Sequence, residues 1–238
     1  MQHKVIDAED VVIRFAGDSG DGMQLTGTLF ASTSAVFGNS LSTFPDYPAE
    51  IRAPKGTVSG VSGFQVHIGS HKVLTPGDYC DMLVAMNPAA LKANAKWLKR
   101  TGLVLLNSDA FDDGSLSKAG FSTDDPLAEA GVSDRNIIAA PISTLTKESL
   151  AGSGLEPQAI LKCRGMFTLG MACFIYSRPL EYIYGYILTK FGKKHPGMVE
   201  PNRKVVTDGY NYAAAIQAVP DVYNIAPAPL EKGTYRNI

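Results

Sequence analysis

The feature that most narrows the fold is Val11–Ala16 followed at once by Gly17-Asp18-Ser19-Gly20-Asp21-Gly22 and then by MQLTGTLFASTSAVFG. VVIRFA is a short apolar, β-branched run of the kind that forms a strand covered on both faces. Met23, Leu25, Leu29, Phe30 and Val36 suit a buried helix, and Gly38 supplies its stop. Strand, glycine turn and helix open a βα unit. The same alternation continues down the chain. Strands are predicted at Val61–Ile68, Met82–Ala85, Leu103–Leu106 and Asn136–Ala140. Helices are predicted at Ala89–Arg100, Pro141–Leu150, Leu161–Tyr176, Pro179–Lys190 and roughly Glu200–Ala218. Strands alternating with helices imply a three-layer α/β/α domain with a mainly parallel sheet.

Two stretches interrupt this pattern. LSTFPDYPAEIRAPKGTVSG holds Pro45, Pro48 and Pro54 and reads as an irregular surface loop, because each proline removes a donor and restricts its predecessor. A loop that long inside a compact domain is usually functional. Residues 220–238 contain Pro220, Pro227, Pro229 and Gly233 with little apolar periodicity. They read as a proline-rich linker leaving a domain of residues 1–219, with further chain expected beyond TYRNI.

Composition removes several function classes. The 238 residues are 45% hydrophobic and 19% charged, which suits a folded domain rather than a disordered chain. Lys+Arg total 22 against Asp+Glu 23, so no basic field draws a nucleic acid. Cys80, Cys163 and Cys173 are widely spaced and form no CxxC, whereas zinc ribbons, iron–sulfur sites and disulfide frameworks need denser spacing. They read as buried free thiols, with Cys163 and Cys173 as core filler on one apolar helix. The longest apolar run, around Gly165–Tyr176, is too short to span a bilayer, and MQHKVIDAED lacks the parts of a signal peptide. A soluble, cytoplasmic protein is expected.

The glycine loop can be read against known motifs. GDSGDG is GxxGxG rather than the dinucleotide GxGxxG, and Gly69-Ser70-His71 stands where an acidic ribose partner is needed. A phosphate-binding Walker loop would need Gly-Lys-Ser/Thr, but Met23 follows Gly22. A GxSxG nucleophile centred on Ser19 would need glycine where Asp21 stands. Gly20-Asp21-Gly22 matches the start of the metal and diphosphate site of thiamin enzymes, but Ala49-Glu50-Ile51 replaces the asparagine pair that completes the magnesium shell. Two readings remain open. The loop is an anion cradle, with backbone N–H groups and a helix N-terminus turned toward a ligand. Alternatively, Ser19 or Asp21 caps the helix and the glycines only make the turn. Against the cradle, Asp18 and Asp21 place carboxylates where a phosphate would sit.

VVIRFAGDSGDG, PDYPAEIRAPKGTVSG, KCRGMFTLGMACFIYSRPLE and EKGTYRNI together resemble the γ domain of 2-oxoacid:ferredoxin oxidoreductases. The likeness is strongest to the branch in which γ is fused ahead of the α domain, as in 2-oxoglutarate:ferredoxin oxidoreductase α subunits. The resemblance covers nearly the whole chain. It implies a complex that oxidatively decarboxylates 2-oxoglutarate or a related 2-oxoacid, passes electrons to ferredoxin and forms an acyl-CoA. Thiamin diphosphate, magnesium and iron–sulfur clusters are then expected only in the partner α and β domains. This domain would shape the coenzyme A pocket and the assembly and would not be catalytic alone. Coenzyme A carries a pyrophosphate and a 3′-phosphate, which call for backbone donors and a cation.

The expected coenzyme A contacts are Ser19, Gly20, Gly22 and Met23 from the loop and Arg52 as the guanidinium, with Lys55 a weaker second. Arg52 could instead pair with Glu50 or Asp46 to hold its loop. Lys190, Lys193, Lys194 and His195 read as a helix-end cap or subunit contact. Trp97 reads as helix packing and His67 as a satisfied strand histidine. No catalytic or metal-ligating residue is assigned. The alternative function is a stand-alone nucleotide- or flavin-binding module.

Overall fold

The computed structural model describes residues 3–50, 53–216, 219, 221–231 and 233. The central sheet contains β2 (Asp10–Asp18), β3 (Ser40–Asp46), β4 (Val61–Gly69), β5 (Cys80–Ala85), β6 (Leu98–Asn107) and β7 (Asn136–Ala140). Its spatial order is β3-β4-β2-β5-β6-β7. β2, β5, β6 and β7 run parallel, while β4 pairs antiparallel with both β2 and β3. The α/β fold is therefore the one expected, with a mixed sheet. A second, two-stranded parallel sheet joins β1 (Lys4–Asp7) to β8 (Asp221–Asn224).

Helices α1 (Met23–Phe37), α2 (Pro88–Asn94), α3 (Asp113–Lys118), α4 (Pro126–Glu129), α5 (Ile142–Ser149), α6 (Pro157–Leu161), α7 (Arg164–Ile175), α8 (Glu181–Phe191) and α9 (Val199–Ala215) cover the sheet or pack on those that do. Period-2 alternation along β2 divides the core. Ile13 and Phe15 join Leu29, Phe30, Leu169 and Val206 on one face. Val12 and Ala16 join Ala90, Leu91 and Leu116 on the other. α7 and α9 meet at backbone distance: a Cβ on Gly170 would overlap the Val206 carbonyl, and one on Gly209 the Phe167 carbonyl.

Three expectations need correction. The segment read as an irregular loop begins as β3, in register with β4 from Ser40↔Gly69 to Asp46↔Gly63. Pro45 is tolerated because β3 lies at the edge of the sheet, where a missing N–H breaks no second ladder. The helix expected over Ala89–Arg100 stops early: Ala95–Trp97 is a 3₁₀ turn and β6 begins at Leu98. Finally, part of the expected linker packs on the domain. Besides the β1–β8 pairing, Asn39 Nδ2 donates to the Ala226 carbonyl (2.8 Å), Arg178 Nη2 to that of Ile225 (3.1 Å), and the Ala228 amide to that of Gly38 (2.9 Å). Arg178 is buried, stacked over Phe37, and burial pulls its pKa down to about 10.

Candidate functional site at the first crossover

The aspartates of the glycine loop build the turn themselves. The Asp21 amide donates to the Asp18 carbonyl (2.9 Å), and the Asp18 amide donates to Asp21 Oδ2 (2.9 Å). Gly22, with φ +75°, is the N-cap of α1 in a conformation that favours glycine, and no side chain caps the helix. The side-chain cap weighed for Ser19 or Asp21 is therefore absent. Ser19 and Gly20 are exposed, whereas the Met23 side chain is buried in the core. Among the described residues, the amides of Ser19, Gly20, Gly22 and Met23 meet no acceptor. These four are neighbours at the carboxyl end of β2. Arg52 lies outside the described residues. Asp46, one of its two weighed partners, pairs with Arg14.

Asp21 is sealed by a residue from far along the chain. Arg164, the first residue of α7, places Nη2 2.8 Å from Asp21 Oδ1. Burial pushes the Asp21 carboxyl up, and the Arg164 charge opposes that rise. Arg164 is itself held: Nε donates to the Leu161 carbonyl (3.0 Å) and Nη1 to Ser143 Oγ (3.4 Å). Asn107 at the end of β6 fixes Ser143 by donating to its Oγ (3.1 Å) and accepting its amide (3.2 Å). Gly165 lets α7 come this close. A Cβ there would lie 2.8 Å from Thr26 Oγ1 and 3.0 Å from the Asp21 carbonyl.

Beside this network opens a cleft of about 240 Å³, lined by Asp18, Asp21, Lys55, Ser115, Lys118 and Arg164 among others. Asp18 ties its far wall by accepting the Gly56 amide at 3.1 Å on Oδ2. Lys55 Nζ stands 4.0 Å from where a Cβ on Gly20 would sit. Three cations thus face a loop carrying two carboxylates. Lys55 was anticipated from the sequence. Lys118 and Arg164 were not, because each is local to an unremarkable helix and reaches the cleft only through the fold.

The thiols are unsuited to hold a cluster. Cys80 sits on β5, Cys163 at the N-cap of α7 and Cys173 within it, all buried. Burial pushes Cys80 up to about 12 and Cys163 up to about 11, and raises Cys173 too, so none offers a ready thiolate. Among the described residues no three His, Cys, Asp or Glu groups are placed to hold a metal ion. No described helix is long and apolar enough to cross a membrane.

Fold and cleft together define an open-sheet α/β domain whose cation-lined cleft lies at its first crossover, where such folds receive ligands. The chain belongs to the pyruvate ferredoxin/flavodoxin oxidoreductase family, whose pattern residues 12–212 match. It is 46% identical over 230 residues to the 2-oxoglutarate oxidoreductase subunit KorA of Mycobacterium tuberculosis, covering 97% of this chain and 35% of that protein. The chain therefore spans about a third of that relative's length. Among solved structures it resembles the 2-oxoglutarate:ferredoxin oxidoreductase of Magnetococcus marinus, determined with 2-oxoglutarate, coenzyme A and succinyl-CoA bound. That match has a TM-score of 0.71 at 23% identity and covers 93% of this chain and 34% of the other. The γ subunit of a keto/oxoacid ferredoxin oxidoreductase from Geobacter sulfurreducens matches with a TM-score of 0.59 at 22% identity, covering 87% and 99%.

Proposed function

We propose that this chain is the γ-type domain of a 2-oxoglutarate:ferredoxin oxidoreductase, and that its first-crossover cleft forms one wall of the coenzyme A pocket. The observation that carries the reading is the meeting of Lys55, Lys118 and Arg164 around a single cleft that the glycine loop borders through Asp18 and Asp21. Coenzyme A would present its phosphates there, and its thiol would accept the acyl group in a reaction chamber completed by partner domains. The loop amides and the start of α1 supply donors that need no reorganisation on binding. Lys55 and Lys118 supply positive charge. Arg164 offsets Asp21, and Asp18 is occupied by the Gly56 amide, which together weaken the objection that the loop's carboxylates would repel a phosphate.

The KorA relative and the Magnetococcus enzyme support 2-oxoglutarate as the oxoacid. The thiamin diphosphate, its metal and the iron–sulfur clusters are assigned to partner domains, in keeping with three buried, separated thiols and no metal-holding group among the described residues. The chain alone should therefore produce no acyl-CoA. Calorimetry of coenzyme A binding to the assembled enzyme tests the pocket. Loss of one phosphate-bonding cation, in Lys118→Ala or Arg52→Ala, should cost roughly 1.5–3 kcal/mol. Unchanged affinity in both variants would remove the cleft from the coenzyme A site. Purified chain carrying FMN would point instead to a stand-alone flavin module.

A further inference from the structure

A second cavity lies at the opposite end of the sheet, where β1 and β8 approach the amino ends of β2 and β5. It has a volume of about 210 Å³, and Asp10, Asp81, Asp221, Tyr176 and Tyr223 are among its lining residues. Three partly exposed carboxylates around one small space set up a negative potential that favours a cation. Asp81 is answered: Oδ1 takes Lys99 Nζ at 2.8 Å and Oδ2 takes the Val12 amide at 2.8 Å. Among the described residues, Asp10 meets imidazoles, His67 Nε2 at 3.6 Å and His71 Nε2 at 3.7 Å. Asp221 forms no ion pair among the described residues.

The phenols supply an independent observation. Tyr176 is 1% exposed, yet its hydroxyl has no hydrogen-bond partner among the described residues. Burial, and then the Asp81 carboxylate, push the Tyr176 phenol well up, so it stays protonated and keeps its oxygen lone pairs. Tyr223 stacks on it with ring centroids 5.6 Å apart and feels the Asp221 charge. Among the described residues, the cavity thus combines Asp221 with no ion pair, Asp10 beside two histidines, and a phenolic oxygen without a hydrogen bond on a stacked aromatic pair. A metal ion is a poor occupant, because no three carboxylate or imidazole groups here converge on one point. An ammonium or guanidinium group suits the set, since it donates several hydrogen bonds and favours aromatic surroundings.

We propose that this cavity binds the head of an organic cation, a primary ammonium or guanidinium, between Asp221, Asp10 and the Tyr176 hydroxyl. The head belongs either to a free small amine or to a basic side chain of a neighbouring polypeptide. Calorimetric titration of the purified chain with cadaverine, agmatine and Nα-acetyl-lysine amide tests this. Saturable binding is expected, about tenfold weaker in Asp221→Asn and a few-fold weaker in Tyr176→Phe, which keeps the ring stack and removes only the hydroxyl. Capped lysine binding as well as cadaverine identifies a side chain as the occupant; cadaverine and agmatine alone identify a free amine. No saturable binding by any of the three overturns the proposal. So does equal affinity in wild type and both variants, or displacement of the amines by calcium at equal concentration.

Discussion

The arginine–aspartate pairs Arg14–Asp46 and Arg164–Asp21 differ in what surrounds them. Arg14 on β2 pairs with Asp46 and also donates to Asn94 Oδ1 and Gln65 Oε1, the latter at 3.2 Å. That network ties β2, β3, β4 and α2 together inside the domain, and the Arg14 side chain is only 9% exposed. Arg164 pairs with Asp21 and Ser143 but is 24% exposed, on the wall of a cleft. The chemistry is the same in both. The first pair closes a seam between strands, whereas the second leaves part of its charge facing a space that a ligand can enter. A buried ion pair is weak evidence of function; one whose cation also lines a cleft is stronger.

The contrast can be broken by substitution. Arg14→Met should have the largest effect, lowering unfolding free energy by roughly 2–5 kcal/mol because the buried Asn94 and Gln65 lose their donor and Asp46 its charge partner. Chemical denaturation measures it, and coenzyme A affinity of the folded, assembled enzyme should stay as it was. If affinity falls with stability, the two networks are not separable. Arg164→Met should lower stability by roughly 1–3 kcal/mol, and should weaken coenzyme A binding by more than its stability loss accounts for. Lys118→Ala, on the surface of α3, should leave stability within about 0.5 kcal/mol while still weakening binding. A variant equal to wild type in calorimetry would place Lys118 outside the pocket.

The smallest effect is in pH dependence. The folded pKa of Asp21 lies above its ordinary value of 3.8, so the folded state holds that proton more tightly than the unfolded chain. The relative stability this confers is present below 3.8 and is lost as pH rises through the folded pKa. Asp21→Asn should flatten that acid limb of the stability curve. An unaltered limb would mean that Arg164 offsets the burial of Asp21 completely.

How much of this was readable in advance depended on how local the cause was. β2, the glycine turn and α1 declare themselves because apolar run, turn and helix are contiguous, and Gly38 ends α1 with φ +106° where it was expected to. β7 at Asn136–Ala140 was legible for the same reason. β3 was hidden by Pro45, whose tolerance depends on an edge position that only the completed sheet defines. AALKANAKWLKR has helical spacing throughout, yet pairing with β5 takes its last residues into β6. The pairing of β1 with β8 joins segments more than two hundred residues apart, so neither strand carries a sign of the other. Arg164 was invisible as a site residue because its partner Asp21 is 143 positions away. The glycine loop was therefore legible as a turn, but Ser19, Gly20, Gly22 and Met23 do not line the cleft, and the residues that α3 and α7 bring to it were not legible.

The glycine contact between α7 and α9 has a mechanical consequence. Backbones that touch at Gly170 and Gly209 cannot slide without first coming apart, so the two helices move as one body. Arg164 rides at the head of that body. The facing wall instead hangs from Asp18 through the Gly56 amide, on a chain segment outside any strand. Any opening of this cleft is therefore expected from the Lys55 side rather than from the side of Arg164.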